Sequence, residues 1–352
     1  MHKVHVQVEK PYDVLIGSGL MQDAGALIAG VIAPCRAAII SDDTVDALYG
    51  EKLQLSLQNA GFSTCRTHFA HGEEHKNLQT YAMLMDFLCE NQITRADIIV
   101  ALGGGVVGDT AGFAAATYLR GIRFVQVPTT LLAMVDSSVG GKTAVDLPHG
   151  KNLCGAFWQP SLVVCDTDTL GTLPEDIYTD GLAECLKHGV LKDEGLFCLL
   201  VREDARKNIN EIVARNVAIK AEYVAQDERD TGLRQQLNLG HTLGHAVEKL
   251  SNFTITHGQA VAIGMVYAAK IACKLQLCSA SVPEEMETAV RSVGLPAQAA
   301  FSAQEIARVA LGDKKRMGDA LRMVLPQEIG RCTLHYVPVD VLQEVISLGV
   351  NV

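Results

Sequence analysis

Asp97-Ile98-Ile99-Val100-Ala101-Leu102-Gly103-Gly104-Gly105-Val106-Val107-Gly108-Asp109 is the stretch whose reading decides the fold. Its first six residues are almost continuously apolar, as in a strand covered on both faces. The glycines then turn the chain into the helix-like Thr110-Ala111-Gly112-Phe113-Ala114-Ala115-Ala116. Gly103, Gly105 and Gly108 satisfy G-x-G-x-x-G in the strand–turn–helix setting that gives the pattern its meaning. Glycine lets backbone approach a pyrophosphate, and a helix start attracts its charge. A tight structural turn is the competing reading. The arrangement is not the ordinary dinucleotide fingerprint, because Gly103 lies far into the chain and no acidic residue closes the next strand-like run, Arg123–Pro128. Asp42, at the end of the earlier run Arg36–Asp42, is a candidate for the adenosine ribose or, equally, for a turn or helix cap.

Outward from this turn the first half alternates strand-like and helix-like runs. Tyr12–Gly17, Arg36–Asp42 and Arg123–Pro128 read as strands, 53–59 as helix, and Met1-His2-Lys3-Val4-His5-Val6 as a strand by its alternation rather than as a signal peptide. Such β-α-β order predicts a parallel sheet covered by helices. Beyond about Pro174 helical patterns take over, at 177–190, 209–225, 241–250, 260–275 and 283–293. The expected fold is an α/β Rossmann-like domain over residues 1–170, carrying the candidate nucleotide-binding turn, followed by a mainly α-helical domain over 171–352.

The chain has 352 residues, 48% of them hydrophobic and 20% charged, enough for a sizeable core. A formal net charge of −10 argues against a nucleic-acid partner, which needs clustered cations. No apolar run is long enough to span a membrane. Ten cysteines occur singly, without C-x-x-C, and are expected as reduced thiols of a cytoplasmic protein. Cys89, Cys185 and Cys273 fall in apolar helical stretches and are expected to be buried.

Gly240-His241-Thr242-Leu243-Gly244-His245 carries two histidines one helical turn apart, and His257 follows shortly. Positions i and i+4 share a helix face, so His241 and His245 can point into one pocket. Imidazole is both the commonest metal ligand and the usual proton carrier near neutral pH. A carboxylate usually completes such a site, and Glu184 in Gly181-Leu182-Ala183-Glu184 is the candidate. A second polar constellation lies between 120 and 152: Arg120-Gly121, Pro128-Thr129-Thr130, Val135-Asp136-Ser137-Ser138-Val139-Gly140-Gly141-Lys142-Thr143 and Gly150-Lys151-Asn152. Gly-Gly-Lys-Thr lacks the spacing of a P-loop and is rejected as one. Small residues beside Lys142 and Lys151 still suggest anionic ligands held against backbone. Lys187, Lys220, Arg234 and the pair Lys314-Lys315 add cations to an acidic chain.

Together with Gly72-Glu73-Glu74-His75-Lys76, Thr117-Tyr118-Leu119-Arg120-Gly121 and Asp227-Glu228, these segments closely resemble the 3-dehydroquinate synthase family of the sugar phosphate cyclase superfamily, in order over nearly the whole chain. The resemblance implies conversion of 3-deoxy-D-arabino-heptulosonate 7-phosphate to 3-dehydroquinate and phosphate in the shikimate pathway. The implied course is transient oxidation by NAD, phosphate elimination, reduction, ring opening and intramolecular aldol closure. It also implies tightly held NAD in the α/β nucleotide-binding domain and one divalent metal, Zn(II) or Co(II), in a mainly α-helical C-terminal metal- and substrate-binding domain.

By the family pattern Glu184, His241 and His257 are the metal ligands, while His245 is a proton-transfer group. Lys187, Asp136, Asp230 and Lys220 are the other catalytic positions. Lys142, Asn152, Asn238 and one or both of Lys314 and Lys315 are implied for the substrate's phosphate, carboxylate or hydroxyls, with Arg234 chosen for the carboxylate because a guanidinium grips it bidentately. Arg120 resembles an arginine that reaches into the partner subunit, which implies a homodimer. Asp42, Glu73, Lys76, Gly105, Val106, Val107, Gly108, Asp109, Thr129, Thr130, Lys142 and Lys151 match cofactor-contacting positions, and Thr169 and Thr172 match more loosely. The family usually reads D-E-x-E-x-G-x-R where this chain has Asp227-Glu228-Arg229-Asp230, so the second acid is one methylene shorter. A cyclase forming an inosose or valiolone is the nearest alternative, distinguished by needing no carboxylate-binding Arg234 or Asn238. An NAD-dependent metal alcohol dehydrogenase would not need so many cations, and a non-enzymatic protein would not need an intact Glu184–His241–His257 set.

Overall fold

The computed structural model describes residues 1–312, 316–317 and 320–350, so Lys314 and Lys315 lie outside the described residues. The chain forms two compact units: Met1–Pro174 with Val213–Arg229, and Glu175–Ile212 with Asp230–Val352.

The first unit is built on a seven-stranded sheet. Its strands are β1 (His2–Val6), β2 (Tyr12–Gly17), β3 (Arg36–Asp42), β4 (Ser63–Phe69), β5 (Ile98–Gly103), β6 (Arg123–Pro128) and, after a hairpin, β9 (Leu162–Asp166), in the order β1-β2-β9-β6-β5-β3-β4. Only the edge strand β1 is antiparallel; all other neighbours are parallel. β5 is apolar throughout and β3 and β6 are mostly so, because both faces are covered. Ile39, Val100 and Val125 pack on one face with Met21, Leu53 and Leu57. Ile40, Ile99 and Phe124 pack on the other with Leu84, Leu88 and Val107.

β3 leads outward to β4 on one side, whereas β5 leads to β6 on the other. Connections therefore diverge between the carboxyl ends of β3 and β5, the place where open parallel sheets bind ligands. Asp42 and the Gly103–Gly105 turn stand at those two ends. The polar segment carrying Lys142, Lys151 and Asn152 forms a β-hairpin, β7 (Lys142–Leu147) paired antiparallel with β8 (Gly150–Phe157).

The second unit is mainly helical. The helices Glu175–Lys192, His241–Leu250 and His257–Lys274 carry the expected metal residues. An antiparallel sheet of β10 (Arg316–Met317), β11 (Ala320–Glu328) and β12 (Arg331–Pro338) accompanies them, a feature the helical periodicity did not predict. Cys185 is buried as expected and Cys273 is partly buried, but Cys89 is exposed because it lies on the outer side of its helix; all ten cysteines are free thiols.

Glycine sets how closely the two histidine helices pack. Gly240 precedes the first of them at φ 78°, a left-handed conformation that glycine adopts without a Cβ penalty. A Cβ on Gly264 would lie 2.0 Å from the Gly240 carbonyl oxygen and 2.8 Å from the Gly244 nitrogen. Both atoms are backbone and cannot swing aside. Gly264→Ala is therefore expected to destabilise the second unit by about 3 kcal/mol through overpacking, read as a lowered urea midpoint with an unchanged slope.

Candidate active site

Glu184 lies on a helix whose residues from Gly181 to Leu191 are all buried, and its own exposure is 0%. An ionised carboxylate there needs cations or hydrogen bonds around it. Lys187, one turn on and 1% exposed, forms an ion pair with Glu184 Oε2. On the other oxygen, His241 Nε2 and His257 Nε2 each stand 3.4 Å from Oε1. His241 Nδ1 lies 3.0 Å from the Leu239 carbonyl. A carbonyl only accepts, so Nδ1 carries the proton and Nε2 keeps its lone pair towards Glu184. His257 Nδ1 faces the buried Glu248, 3.7 Å from Oε2. The His245 ring is edge-on to His241 at 5.3 Å between centroids and groups with Glu248 and His257 rather than with Glu184.

Two histidine nitrogens and one carboxylate oxygen, all within 4.8 Å of one another, are a donor set suited to a divalent ion of the zinc type. The 3.4 Å separations are long for hydrogen bonds, and Glu184 Oε1 has no hydrogen-bond partner among the described residues. They match donors bound to one tetrahedral ion at about 2.05 Å, which lie about 3.3 Å apart. The residues present fit the metal.

The electrostatics agree. Burial pushes the Glu184 carboxyl up, but the Lys187 ammonium, with His257, outweighs it and holds the group well below the usual carboxylate range. Burial and Lys187 hold His241 far below its ordinary value, hence neutral. Burial would also lower His257, but Glu184 and Glu248 on its two sides raise it to about 10. Elsewhere in this unit Arg234 is buried on the 3-10 segment Leu233–Asn238, and Asn238 Nδ2 donates to the Gln235 carbonyl at 3.0 Å. Asp230 precedes them at φ 57°.

In the first unit the glycine turn ends β5 and opens the helix Gly105–Thr117, with Gly104 as its cap residue. A Cβ on Gly105 would approach Ser137 Oγ at 3.2 Å, so Ser137, not singled out in the sequence, faces the turn. The Val107 side chain is buried in the sheet core, so it can offer a ligand only its backbone. Thr129 N donates to the Gly103 carbonyl at 3.0 Å, and the buried Thr129 hydroxyl has no hydrogen-bond partner among the described residues. Thr130 Oγ1 accepts from Ala133 N at 3.2 Å. Asp42 caps a short helix, accepting from Val45 N at 2.8 Å, and burial raises its carboxyl above the ordinary value.

Lys76, 4% exposed, donates to Asp109 Oδ2 and Asn152 Oδ1, each at 2.6 Å. Asp146 joins them, since its nitrogen donates to the Lys76 carbonyl at 2.7 Å and its carboxylate accepts from Asn152 N at 2.6 Å. Lys151 stands 3.8 Å from Glu73. Lys220 pairs with Asp136 at 2.8 Å. Thr169 donates to the Asp166 carbonyl at 2.8 Å, and Thr172 shares a 2.6 Å hydrogen bond with Tyr49. Lys142 and Arg120 are exposed. Sequence reasoning assigned no role to Glu248; its spacing of seven from His241 puts it on the same helix face and was the available signal.

The Lys76 ammonium is buried against Asp109, whose carboxylate helps hold it above its ordinary value. Asp109→Ala leaves that charge without its anion. It is expected to cost about 3 kcal/mol, measured by urea unfolding, whereas Asp109→Asn, which keeps an oxygen acceptor, is expected to cost clearly less.

The model for the 3-dehydroquinate synthase N-terminal family matches residues 66–180, and the C-terminal family model matches residues 181–316. A 3-dehydroquinate synthase of Geobacter sp. (strain M21) is 45% identical over 332 residues, covering 92% of this chain and 91% of the relative. Among solved structures, a 2-deoxy-scyllo-inosose synthase complexed with carbaglucose-6-phosphate, NAD+ and Co2+ superimposes with a TM-score of 0.86 at 26% identity, covering 99% of this chain and 100% of the other. A 2-epi-5-epi-valiolone synthase from Streptomyces hygroscopicus subsp. jinggangensis 5008, with NAD+ and Zn2+ bound, gives 0.86 at 28% identity, covering 98% of each chain.

Proposed function

The chain belongs to the 3-dehydroquinate synthase family, and from that premise we propose that it converts 3-deoxy-D-arabino-heptulosonate 7-phosphate to 3-dehydroquinate and inorganic phosphate, using NAD and one divalent ion. The observation that carries the reading is the buried Glu184 carboxylate with two imidazole nitrogens 3.4 Å from one oxygen. Glu184, His241 and His257 would hold the ion. The glycine turn, with Asp42, Thr129, Thr130, Lys76 and Asp109, would hold the nucleotide, and Asn152, hydrogen-bonded to Lys76, would reach the substrate. When bound, NAD supplies a reversible hydride acceptor and the ion supplies Lewis acidity at the hydroxyl to be oxidised.

The remaining roles belong to side chains. His245, close to both ligand histidines but outside their set, is suited to move a proton. Lys187 neutralises Glu184 and contacts substrate. Lys220, held by Asp136, presents an ammonium fixed in position. Lys142, Asn238 and the Lys314–Lys315 pair supply further contacts to an anionic substrate. Arg234, buried and always charged, takes the carboxylate. The family pattern also supports a homodimer in which the exposed Arg120 serves the partner's site. No helix among the described residues is long and apolar enough to cross a membrane, and a cytoplasmic location is part of the same proposal.

Phosphate release measures the reading directly. With NAD, the heptulosonate phosphate is expected to yield phosphate without net NADH; a strong chelator abolishes release and Zn(II) restores it. Release from sedoheptulose 7-phosphate alone would reassign the chain to another cyclase branch, and release indifferent to metal would remove the ion from the reaction. Arg234→Gln is expected to lower kcat/KM by about a hundredfold, the loss of a bidentate charged pair of about 3 kcal/mol. An unchanged value would refute the carboxylate role.

A further inference from the structure

One turn before Glu184, the same helix carries Asp180, a residue to which the family pattern quoted above gives no role. Its carboxylate oxygen Oδ1 accepts a hydrogen bond from the Thr256 hydroxyl and another, at 3.1 Å, from the Gln259 backbone N–H. Thr256 is the cap of the helix that begins at His257, and Gln259 completes its capping box, with Oε1 accepting from Thr256 N at 3.3 Å. The Asp180 carboxylate therefore sits on the open N-terminus of the His257 helix, where unmatched amides and the helix dipole favour a negative charge.

The backbones are pressed together at the same point. A Cβ on Gly258 would lie 2.1 Å from the Asp180 carbonyl oxygen and 2.6 Å from Asp180 Oδ1. Only glycine leaves room there. Asp180 and Glu184 are four residues apart and so share a helix face. Thr256 and His257 are adjacent. The contact thus joins the carboxylate ligand's helix to the first residue of the imidazole ligand's helix within one turn of each ligand.

We propose that Asp180 is a positioning residue: with Thr256 and Gly258 it forms a polar clamp that sets the Glu184–His257 separation and so prepares the metal site before any ion arrives. The proposal rests on the reading that Glu184, His241 and His257 hold the ion. A preset donor spacing raises metal affinity because little rearrangement accompanies binding, and outer residues that orient ligands are commonly worth about tenfold or more in affinity.

The test is Co(II) binding to the metal-free protein, followed by chelator competition and by the visible absorption of the bound ion, which reports ligand geometry. Asp180→Ala is expected to weaken Co(II) by about tenfold and to alter the spectrum. Asp180→Asn keeps an oxygen acceptor and is expected to recover most of the affinity and the native spectrum. Thr256→Val removes one hydrogen bond at an exposed position and is expected to weaken Co(II) by about threefold, a smaller share of the same effect. Melting of the metal-free proteins separates a general loss of stability, which would leave the spectrum of bound Co(II) unmoved. If Asp180→Ala does not fold, Thr256→Val decides: unchanged affinity and spectrum overturn the clamp. Glu184→Gln is the control. If it binds Co(II) as the unsubstituted protein does, the ligand assignment itself fails. If it loses Co(II) while Asp180→Ala and Thr256→Val bind normally, the ligands stand and the clamp alone is wrong.

Discussion

A carboxylate with no solvent exposure, Glu184, is the constraint on which the second unit depends. Its helix is apolar around it from Gly181 to Leu191, apart from Lys187 and His188. Filling that position with a leucine-sized apolar group would be easier for folding, because a buried ion pair seldom repays its desolvation. The charge has to be answered locally: the Lys187 ammonium and the His257 imidazole answer it, and the neutral His241 completes the cluster. Imidazoles are short. They reach Glu184 only because the helices bearing them come unusually close, at Gly264 against Gly240 and Gly244, and at Gly258 against Asp180. The glycines are thus as much a part of the centre as its donors.

The first unit solves a different electrostatic problem. A chain with net charge −10 proposed to hold an anionic nucleotide cannot rely on its average field. The sheet supplies a local answer. Parallel strands bring all their carboxyl ends to one edge, and the diverging connections of β3 and β5 open a crevice there. The helix Gly105–Thr117 begins at that edge with no acidic residue in its first turn, so the partial positive charge of its amides is left available. Lys76 adds a fixed ammonium whose position is set by Asp109 and Asn152, from the helix after the glycine turn and from the hairpin.

The features legible in the sequence were those with a local period or a local steric demand. The run 97–102, ending in glycines, read as a strand covered on both faces, and the four-residue spacing of His241 and His245 read as one helix face. What escaped was tertiary. Lys142–Leu147 and Gly150–Phe157 are rich in lysine and glycine and carry no clean alternation, because β8 is largely exposed and the hairpin is specified by pairing rather than burial. β11 runs Ala-Leu-Arg-Met-Val-Leu-Pro-Gln-Glu, a short apolar stretch whose period cannot separate strand from helix. Cys89 sits among apolar neighbours in sequence yet projects from the outer side of its helix. Glu248 and Asp180 gain meaning only from what folding sets beside them.

Backbone strain gives a further argument about function. Eight non-glycine residues among those described have positive φ, and three of them, Arg120, Asn152 and Asp230, are residues that the family pattern marks for substrate or catalysis. Left-handed backbone is costly for most side chains and persists where the surroundings impose it, which is often at functional positions. Arg120 follows Leu119 in the same conformation and precedes Gly121 at φ 114°, so three consecutive residues turn the chain and leave the arginine exposed. Asn152 is among the residue types that tolerate this conformation best, and its side chain is turned onto Lys76. Asp230 bears on the chain's departure from the family pattern. At φ 57° an aspartate is accommodated more easily than the usual glutamate, because its short carboxylate can bond locally. The shorter acid therefore relieves the backbone at the cost of one methylene of reach. The charge is retained where the family pattern has it, beside the segment that carries Arg234 and Asn238.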